Sequence, residues 1–111
     1  MASTDPMAST DVLHALSTDL DDAGRGAVSR AFEHAAGLYA GMRLGSGEET
    51  MSHALGLAGI ISAMRMDADT RIAGLLFAVP EYSGGEREAT RRLFGDTVAA
   101  LVAGITRLNS L

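Results

Sequence analysis

Apolar residues recur along this chain at the three- and four-residue steps of amphipathic helices. One such set follows two glycines and predicts a helix with a single apolar face. Its members are Val28, Phe32, Ala35, Tyr39 and Met42. An earlier helix is predicted to begin at Thr10 or Asp11, because either side chain can cap a helix and a short apolar set follows. That set consists of Val12, Leu13, Leu16 and Leu20.

Residues 50–66 repeat the helical pattern with two apolar faces instead of one. One face carries Met51, Leu55, Ala58 and Ile61, and the other carries Leu57 and Ile60. A helix that is apolar on two faces contacts neighbours on both, so this segment is predicted to be the central helix. Gly56 and Gly59 cost about 1 kcal/mol each relative to Ala in a helix. Close approach by a neighbouring helix is the predicted compensation.

Residues 70–79 have almost no polar face and predict a buried helical segment. Asp67 or Asp69 can cap its start, and Pro80 disfavours helical geometry just before it and so ends the segment. A short apolar run is also compatible with a strand at residues 75–79, but the chain offers no second strand to pair with it.

The last third of the chain predicts two more helices. A loop at residues 83–85 precedes a charged, exposed helix at Glu86–Phe94, and Asp96 or Thr97 caps a final helix. The apolar residues of that final helix are Val98, Leu101, Val102, Ile105 and Leu108. The predicted fold is therefore all-α, a compact bundle of several helices.

Composition limits the function classes open to this chain. Its 111 residues, 47% hydrophobic and 21% charged, suit one soluble domain. The net charge of −5 and the lack of any run of Lys or Arg argue against nucleic acid as a direct partner. No apolar run approaches the roughly 18 residues of a membrane span, so no membrane partner is predicted. The absence of cysteine excludes disulfides and thiolate zinc sites, and a cytoplasmic location is the default expectation.

The first eleven residues contain the sequence MASTD twice, on either side of Pro6. A tandem start of this kind fits a frayed tail, a duplicated start site or a cloning remnant equally well, and none of these carries a function. Residues 1–24 are therefore predicted to be a variable tail with a short helix, and residues 25–111 the domain proper.

Residue types with catalytic potential are few and show no motif spacing. His14, His34 and His53 have neither HxxxH nor HExxH spacing, and His14 and His34 are predicted at the surface. The glycines at residues 45–47 lack the Lys of a phosphate-binding loop and predict a turn. Acidic pairs beside helix starts fit the helix dipole, a stabilisation of about 0.3 to 1 kcal/mol each. These pairs are Glu48 with Glu49, and Glu86 with Glu88.

Three segments in the same order resemble the RelA/SpoT family. Residues 43–67 resemble its segment with Arg, Ser-Gly-Glu and a following His, and the matching positions are Ser46, Gly47, Glu48 and His53. Residues 72–82 (IAGLLFAVPEY) resemble its Ala-Ala-Leu-Leu-His-Asp-Val-Val-Glu-Asp. Phe94-Gly95 and residues 101–108 (LVAGITRL) resemble its Phe-Gly and Leu-Val-Asp-Gly-Val-Thr-Lys-Leu. The resemblance runs from about residue 35 to the end.

The resemblance implies an HD-type bundle that, in active family members, hydrolyses the 3′-diphosphate of guanosine tetraphosphate. Those members hold manganese with a first His, a His-Asp doublet and a later Asp. Here His53 matches the first His, and Phe77-Ala78 stand at the doublet. Glu81 matches the Glu of the Glu-Asp pair, Tyr82 replaces its Asp, and the later Asp is expected beyond the last residue given.

Without the doublet, the implied metal chemistry fails. A hard divalent ion needs several oxygen or imidazole donors at once, and Phe and Ala supply none. Since the ion generates the nucleophilic hydroxide, its loss would remove the reaction itself. Residues 25–111 are thus expected to form a degenerate hydrolase-like domain with no catalytic residue, no metal and no cofactor, in which His53 and Glu81 are vestigial.

The resemblance also implies partners and rival functions. The parent protein is expected to be a GTP pyrophosphokinase of the stringent response, with the downstream synthetase domain and a second copy of the chain as partners. One rival is a module that binds guanine nucleotide without hydrolysis through Arg43, Ser46 and His53, although Arg43 lies one residue further from Ser46 than the family's base-contacting Arg. The other rival is a phosphohydrolase with an unconventional metal-ligand set.

Overall fold

The all-α prediction is confirmed. A computed structural model of the chain describes residues 6–79 and 86–109, and within them there are six helices and no strand. They are α1 (Pro6–Leu16), α2 (Asp22–Tyr39), α3 (Thr50–Ala63), α4 (Ala68–Leu75), α5 (Glu86–Phe94) and α6 (Asp96–Asn109). Pro80, Glu81, Tyr82 and the loop predicted at residues 83–85 lie outside the described residues.

Two aspartates begin helices in the way their side chains predict. The Asp21 carboxylate accepts a hydrogen bond from the Gly24 amide at 2.8 Å at the start of α2, a cap that the sequence analysis did not identify. Asp67 accepts one from the Thr70 amide at 3.0 Å at the start of α4, as predicted. Each bond satisfies one of the amides that the first turn of a helix leaves unpaired.

The first helix begins earlier than predicted. It starts at Pro6 instead of Thr10 or Asp11, because Pro at the first position of a helix already has helical φ and has no amide to satisfy. The second MASTD copy therefore lies inside α1, which is not what a frayed tail would do. No helix of the described residues is long and apolar enough to cross a membrane.

The central helix of the bundle is α4 instead of α3. Every residue from 71 to 79 is buried, and α4 contacts α2, α3 and α6. In α3, by contrast, Ile60 is 63% exposed, and Met64, directly after the helix, is 65% exposed. The prediction for α3 was wrong because its second apolar face is only partly covered: Leu57 packs against the core, whereas Ile60 does not. The prediction that residues 70–79 are buried is confirmed for residues 71–79. The helix predicted for this segment ends at Leu75, before Pro80, and residues 76–78 form a turn instead of the alternative strand.

Gly74 of α4 lies directly against α3. A Cβ atom at Gly74 would lie 2.9 Å from Ile61 Cδ1 and 3.6 Å from Ala58 Cα. A Cβ at Gly56 or Gly59 would meet nothing within 4 Å. The expectation that those two glycines permit close approach is therefore wrong, and a different glycine has that role.

A buried arginine joins α4 to the end of α1. Arg71 is 1% exposed, and its Nε donates to the Met66 carbonyl at 2.9 Å. Its Nη1 donates to the carbonyls of Leu16 at 3.1 Å and Thr18 at 2.6 Å. Carbonyls at a helix C-terminus carry partial negative charge, so they compensate the guanidinium. This contact fixes α1 on the core, where Leu16 is 2% exposed.

Candidate functional site

A tight turn leads into α3 and carries two of the predicted site residues, Arg43 and Ser46. The Gly47 amide donates to the Leu44 carbonyl at 2.8 Å, and the Leu44 amide donates to the Glu48 carbonyl at 2.8 Å. Gly47 has φ +94°, which favours glycine over any residue with a side chain. The prediction of a turn at residues 45–47 is confirmed.

His53 lies one turn into α3 and pairs with a carboxylate from the preceding loop. Its Nδ1 is 2.9 Å from Glu48 Oε1, and both side chains are 46% exposed. In neutral imidazole this contact places the proton on Nδ1 and leaves Nε2 as the acceptor. Glu48 thus binds a specific side chain, a contact that its assignment to the helix dipole missed.

Phe77 lies against the His53 ring. The two ring centroids are 5.1 Å apart with an angle of 45° between the planes, and Phe77 is 7% exposed. A second ring, that of Tyr39, is edge-on to Phe77 at 6.2 Å. The fold therefore brings together His53 and the position that aligns with the family's doublet, although they lie in different parts of the sequence.

Tyr39 holds the backbone of the turn that carries Phe77 and Ala78. Its hydroxyl donates to the Leu75 carbonyl at 3.0 Å and accepts from the Ala78 amide at 3.1 Å. Both bonds are buried, and Ala78 is 0% exposed. Apolar periodicity predicts Tyr39 on an apolar face and does not indicate this polar role. The signal was its hydroxyl, because a buried Tyr O–H usually finds a partner.

The donors near His53 do not fit a manganese ion. Nδ1 of His53 is already bound to Glu48, and the side chains of Phe77 and Ala78 have no donor atom. Within residues 6–79 and 86–109, no group of three or more His, Asp or Glu side chains is arranged to hold a metal. Glu81 and Tyr82, the other two positions that the resemblance singled out, lie outside the described residues.

Arg43 and Ser46 lie on the turn, and each contacts other residues of the segment that leads into α3. Arg43 Nη1 donates to the Gly47 carbonyl at 2.7 Å, and its Nη2 is 3.9 Å from Glu49 Oε2. The Glu48 amide donates weakly to Ser46 Oγ at 3.4 Å. All of these residues are exposed, so solvent can reach the turn and His53 alike.

The other two histidines lie at the surface, as predicted. His34 is exposed on α2, and its ring is edge-on to Phe94 at 5.8 Å. His14 is exposed near the end of α1, and no metal site joins either residue to the other described side chains.

Comparison with known proteins supports the resemblance to the RelA/SpoT family. The family model described as "HD domain" matches residues 31–111. A "Probable GTP pyrophosphokinase" from Mycobacterium leprae is 39% identical over 82 residues, which is 74% of this chain and 10% of that protein. A "GTP pyrophosphokinase" from Streptomyces coelicolor is 34% identical over 84 residues, 76% of this chain and 10% of that protein. The "Bifunctional (p)ppGpp synthase/hydrolase SpoT" of Escherichia coli K12 is 34% identical over 73 residues, 66% of this chain and 10% of that protein.

The helical fold and the matched residues define the class: the chain belongs to the HD-domain family. More narrowly, it is an HD domain of the RelA/SpoT type, as the sequence resemblance predicted. The chain spans about one tenth of the length of these curated relatives.

Proposed function

We propose that this HD domain is a catalytically inactive, hydrolase-like domain of a RelA-like GTP pyrophosphokinase, with a structural or regulatory role. The observation that carries the proposal is the contact between Phe77 and His53, with ring centroids 5.1 Å apart. An apolar ring occupies the space beside the one matched histidine, where the family resemblance requires two further metal donors.

Two features of the surroundings support inactivity. Ala78 is 0% exposed and its amide is bound by Tyr39, so the second doublet position is part of the core. Water activation by a metal requires the ion to be held by several donors. His53 alone supplies one imidazole nitrogen, which is too few.

The direct test measures metal and turnover on the purified chain. After dialysis against manganese, we expect no stoichiometric metal by elemental analysis and no diphosphate released from guanosine tetraphosphate. The hydrolase-competent relative from E. coli serves as the positive control under the same conditions. Bound manganese at one ion per chain, or turnover above the protein-free blank, would contradict the proposal.

Restoring the His-Asp doublet at positions 77 and 78 tests whether its loss alone accounts for the proposed lack of hydrolase activity. Phe77→His combined with Ala78→Asp restores the family's residue types at both positions, yet we expect no activity, since Tyr82 still stands where the family has Asp. Diphosphate release by this double variant would show that the two doublet positions alone separate this domain from an active hydrolase.

A second candidate function is a phosphohydrolase with an unconventional ligand set. The pairing of His53 with Glu48 at 2.9 Å favours it, because a carboxylate and an imidazole of this kind can act as metal ligands or as a general base. Relatives named as hydrolases point the same way. If this function is correct, His53→Ala abolishes a measurable activity and Glu48→Gln reduces it, whereas His34→Ala leaves it unchanged.

A third candidate is guanine nucleotide binding without hydrolysis. Arg43 and Ser46 lie on the turn that leads directly to His53, and all three are exposed. Calorimetric titration with guanosine tetraphosphate tests it. Binding that Arg43→Gln weakens and that the matched charge change Arg92→Gln on α5 does not would favour this function over a purely structural role.

The regulatory role rests on an exposed apolar surface and needs two states of the parent enzyme. Ile60 and Met64 present apolar side chains to solvent at 63% and 65% exposure, a surface that a synthetase domain or a second copy could cover. A domain shifts an equilibrium only when its contacts differ between the two states. We expect deletion of the region matching residues 25–111 from the parent enzyme to change the basal rate or the activation of guanosine tetraphosphate synthesis. If the full-length and truncated enzymes had equal rates and equal activation, the domain would have no regulatory role and would be only a folded remnant.

A further inference from the structure

A cavity lies between the end of α1 and the first half of α2, away from His53. Its volume is about 660 Å³, and its wall includes Leu13, Ser17, Arg25, Gly26 and Ser29. Cavities of roughly 300 to 1,000 Å³ hold small molecules in proteins. These wall residues precede the part of the chain that the family model matches, which begins at residue 31. The cavity is therefore a feature of this chain apart from the hydrolase-like site.

The cavity wall contains a buried hydroxyl without a partner. Ser17 is 8% exposed, and its Oγ has no hydrogen bond to any described residue. A buried polar group left unpaired costs about 1 to 3 kcal/mol. Native structures therefore pair nearly all such groups with protein, water or ligand. The Ser17 hydroxyl is available to a molecule that enters the cavity.

One guanidinium group, that of Arg25, lines the cavity, and a second lies beside the wall residue Gly26. Arg25 Nε donates to the Leu20 carbonyl at 3.2 Å, which anchors the side chain, while its terminal nitrogens have no carboxylate partner among the described residues. Arg30 Nη1 lies 3.5 Å from the place where a Cβ on Gly26 would be. A cation in the cavity wall, in a chain of net charge −5, favours an anion there.

The groups that would repel an anion are already compensated. Asp19, the acidic residue of the wall, pairs with Arg65 at 3.4 Å. The carbonyls of Leu16 and Thr18 at the end of α1 are bound by Arg71. The remaining wall is mostly apolar, with Leu13 as its largest aliphatic side chain.

We propose that this cavity binds a small organic anion: a carboxylate or phosphate group held by Arg25 and the Ser17 hydroxyl, attached to a compact apolar body that contacts Leu13. The absence of a side chain at Gly26 leaves the space for that body. This proposal is independent of whether the HD site is active.

NMR titration of the ¹⁵N-labelled chain tests the proposal with four probes. These are phenyl phosphate, benzoate, inorganic phosphate and the uncharged benzyl alcohol. We expect saturable shifts of amides in residues 17–19 and 25–29 with phenyl phosphate or benzoate, and binding at least about tenfold weaker for the alcohol, the size of one charge-assisted hydrogen bond. The tighter of the two aryl anions identifies phosphate or carboxylate as the preferred group. Inorganic phosphate should bind more weakly than phenyl phosphate, because it lacks the apolar body.

Variants separate this site from general charge effects. Arg25→Gln should weaken binding about tenfold, whereas Arg92→Gln, the same charge change on α5, should alter it less than about twofold. Gly26→Leu should narrow the cavity and weaken binding while the chain stays folded, because a Cβ atom there meets only Arg30 Nη1, at 3.5 Å. Ser17→Ala should weaken binding without lowering the melting temperature, since it removes an unpaired hydroxyl. No saturable shift up to about 10 mM of either aryl anion, a Kd weaker than most specific sites, or equal binding of the alcohol, would overturn the proposal.

Discussion

Positions 77 and 78 are neighbours in sequence but differ in how closely their side chains approach solvent. Phe77 is 7% exposed and borders His53, whose ring is open to solvent, so a polar ring at position 77 could still reach water. Ala78 is 0% exposed, and its amide bonds to the buried Tyr39 hydroxyl. A carboxylate at position 78 would therefore be desolvated, which costs far more than the loss of an apolar contact.

These environments predict unequal effects for the two single substitutions. Phe77→His should lower the free energy of unfolding by about 1.5 to 3 kcal/mol, the value of burying a large apolar side chain. Ala78→Asp should lower it by more. Urea denaturation measures both, with Leu93→Ala at the surface as a control expected within about 0.5 kcal/mol of the parent chain. A Phe77→His chain as stable as the parent would mean that the ring contributes little to the core.

At the scale of single helices, local signals were reliable and long-range ones were not. The turn at residues 45–47, the cap at Asp67 and the charged helix α5 follow from neighbouring residues, and the sequence predicted each of them. The position of α3 in the bundle depends on which faces its neighbours cover, and periodicity does not encode that. The same limit applies to Arg71 and to the contact of Tyr39 with residues 75 and 78, where the partners are distant in sequence.

The glycines of α3 and α4 give opposite predictions for the same substitution. Gly56→Ala and Gly59→Ala should each raise the free energy of unfolding by about 0.5 to 1 kcal/mol, because Ala favours helix and the added methyl meets nothing. Gly74→Ala should gain less or destabilise, since its Cβ would lie 2.9 Å from Ile61 Cδ1. Urea denaturation of the three variants ranks them. If Gly56→Ala lowered the free energy of unfolding, that result would support the sequence-based prediction of a close helix contact at Gly56.

The cap of α4 predicts a pH dependence. Hydrogen bonds from the Thr70 hydroxyl and amide lower the pKa of Asp67, with a smaller contribution from the charge of Arg71. A carboxyl whose pKa is lower in the folded chain stabilises it above the unfolded-state pKa of about 4, and that stabilisation is lost as pH falls through the folded pKa. Asp67→Ala should therefore cost about 0.5 to 2 kcal/mol at pH 7. The cost should shrink below pH 4 in urea titrations. A constant difference between parent and variant down to pH 2 would assign the effect to something other than the charged cap.

At the scale of the whole molecule, one buried cation connects the first helix to the centre of the bundle. Arg71 donates to carbonyls of Leu16 and Thr18, so α1 and α4 share a buried polar contact at the edge of the apolar core. Leu16 adds an apolar contact in the same place. The residues predicted as a variable N-terminal segment therefore include part of the structure that closes the core. The boundary at residue 25 itself stays a prediction.

Removal of that cation should loosen α1 specifically. Arg71→Met keeps the length of the side chain but removes the donor from the carbonyls of Met66 and Thr18 and leaves that of Leu16 only the Ser62 hydroxyl at 3.4 Å, at an expected cost of about 2 to 4 kcal/mol. Arg65→Met removes only an exposed pair with Asp19 at 3.4 Å, which is worth no more than about 1 kcal/mol. Hydrogen exchange by mass spectrometry separates local from global effects: residues 11–18 should exchange faster in Arg71→Met than in Arg65→Met, relative to α6 in the same chain. If α1 and α6 lose protection equally, the arginine stabilises the bundle as a whole and does not dock α1 in particular.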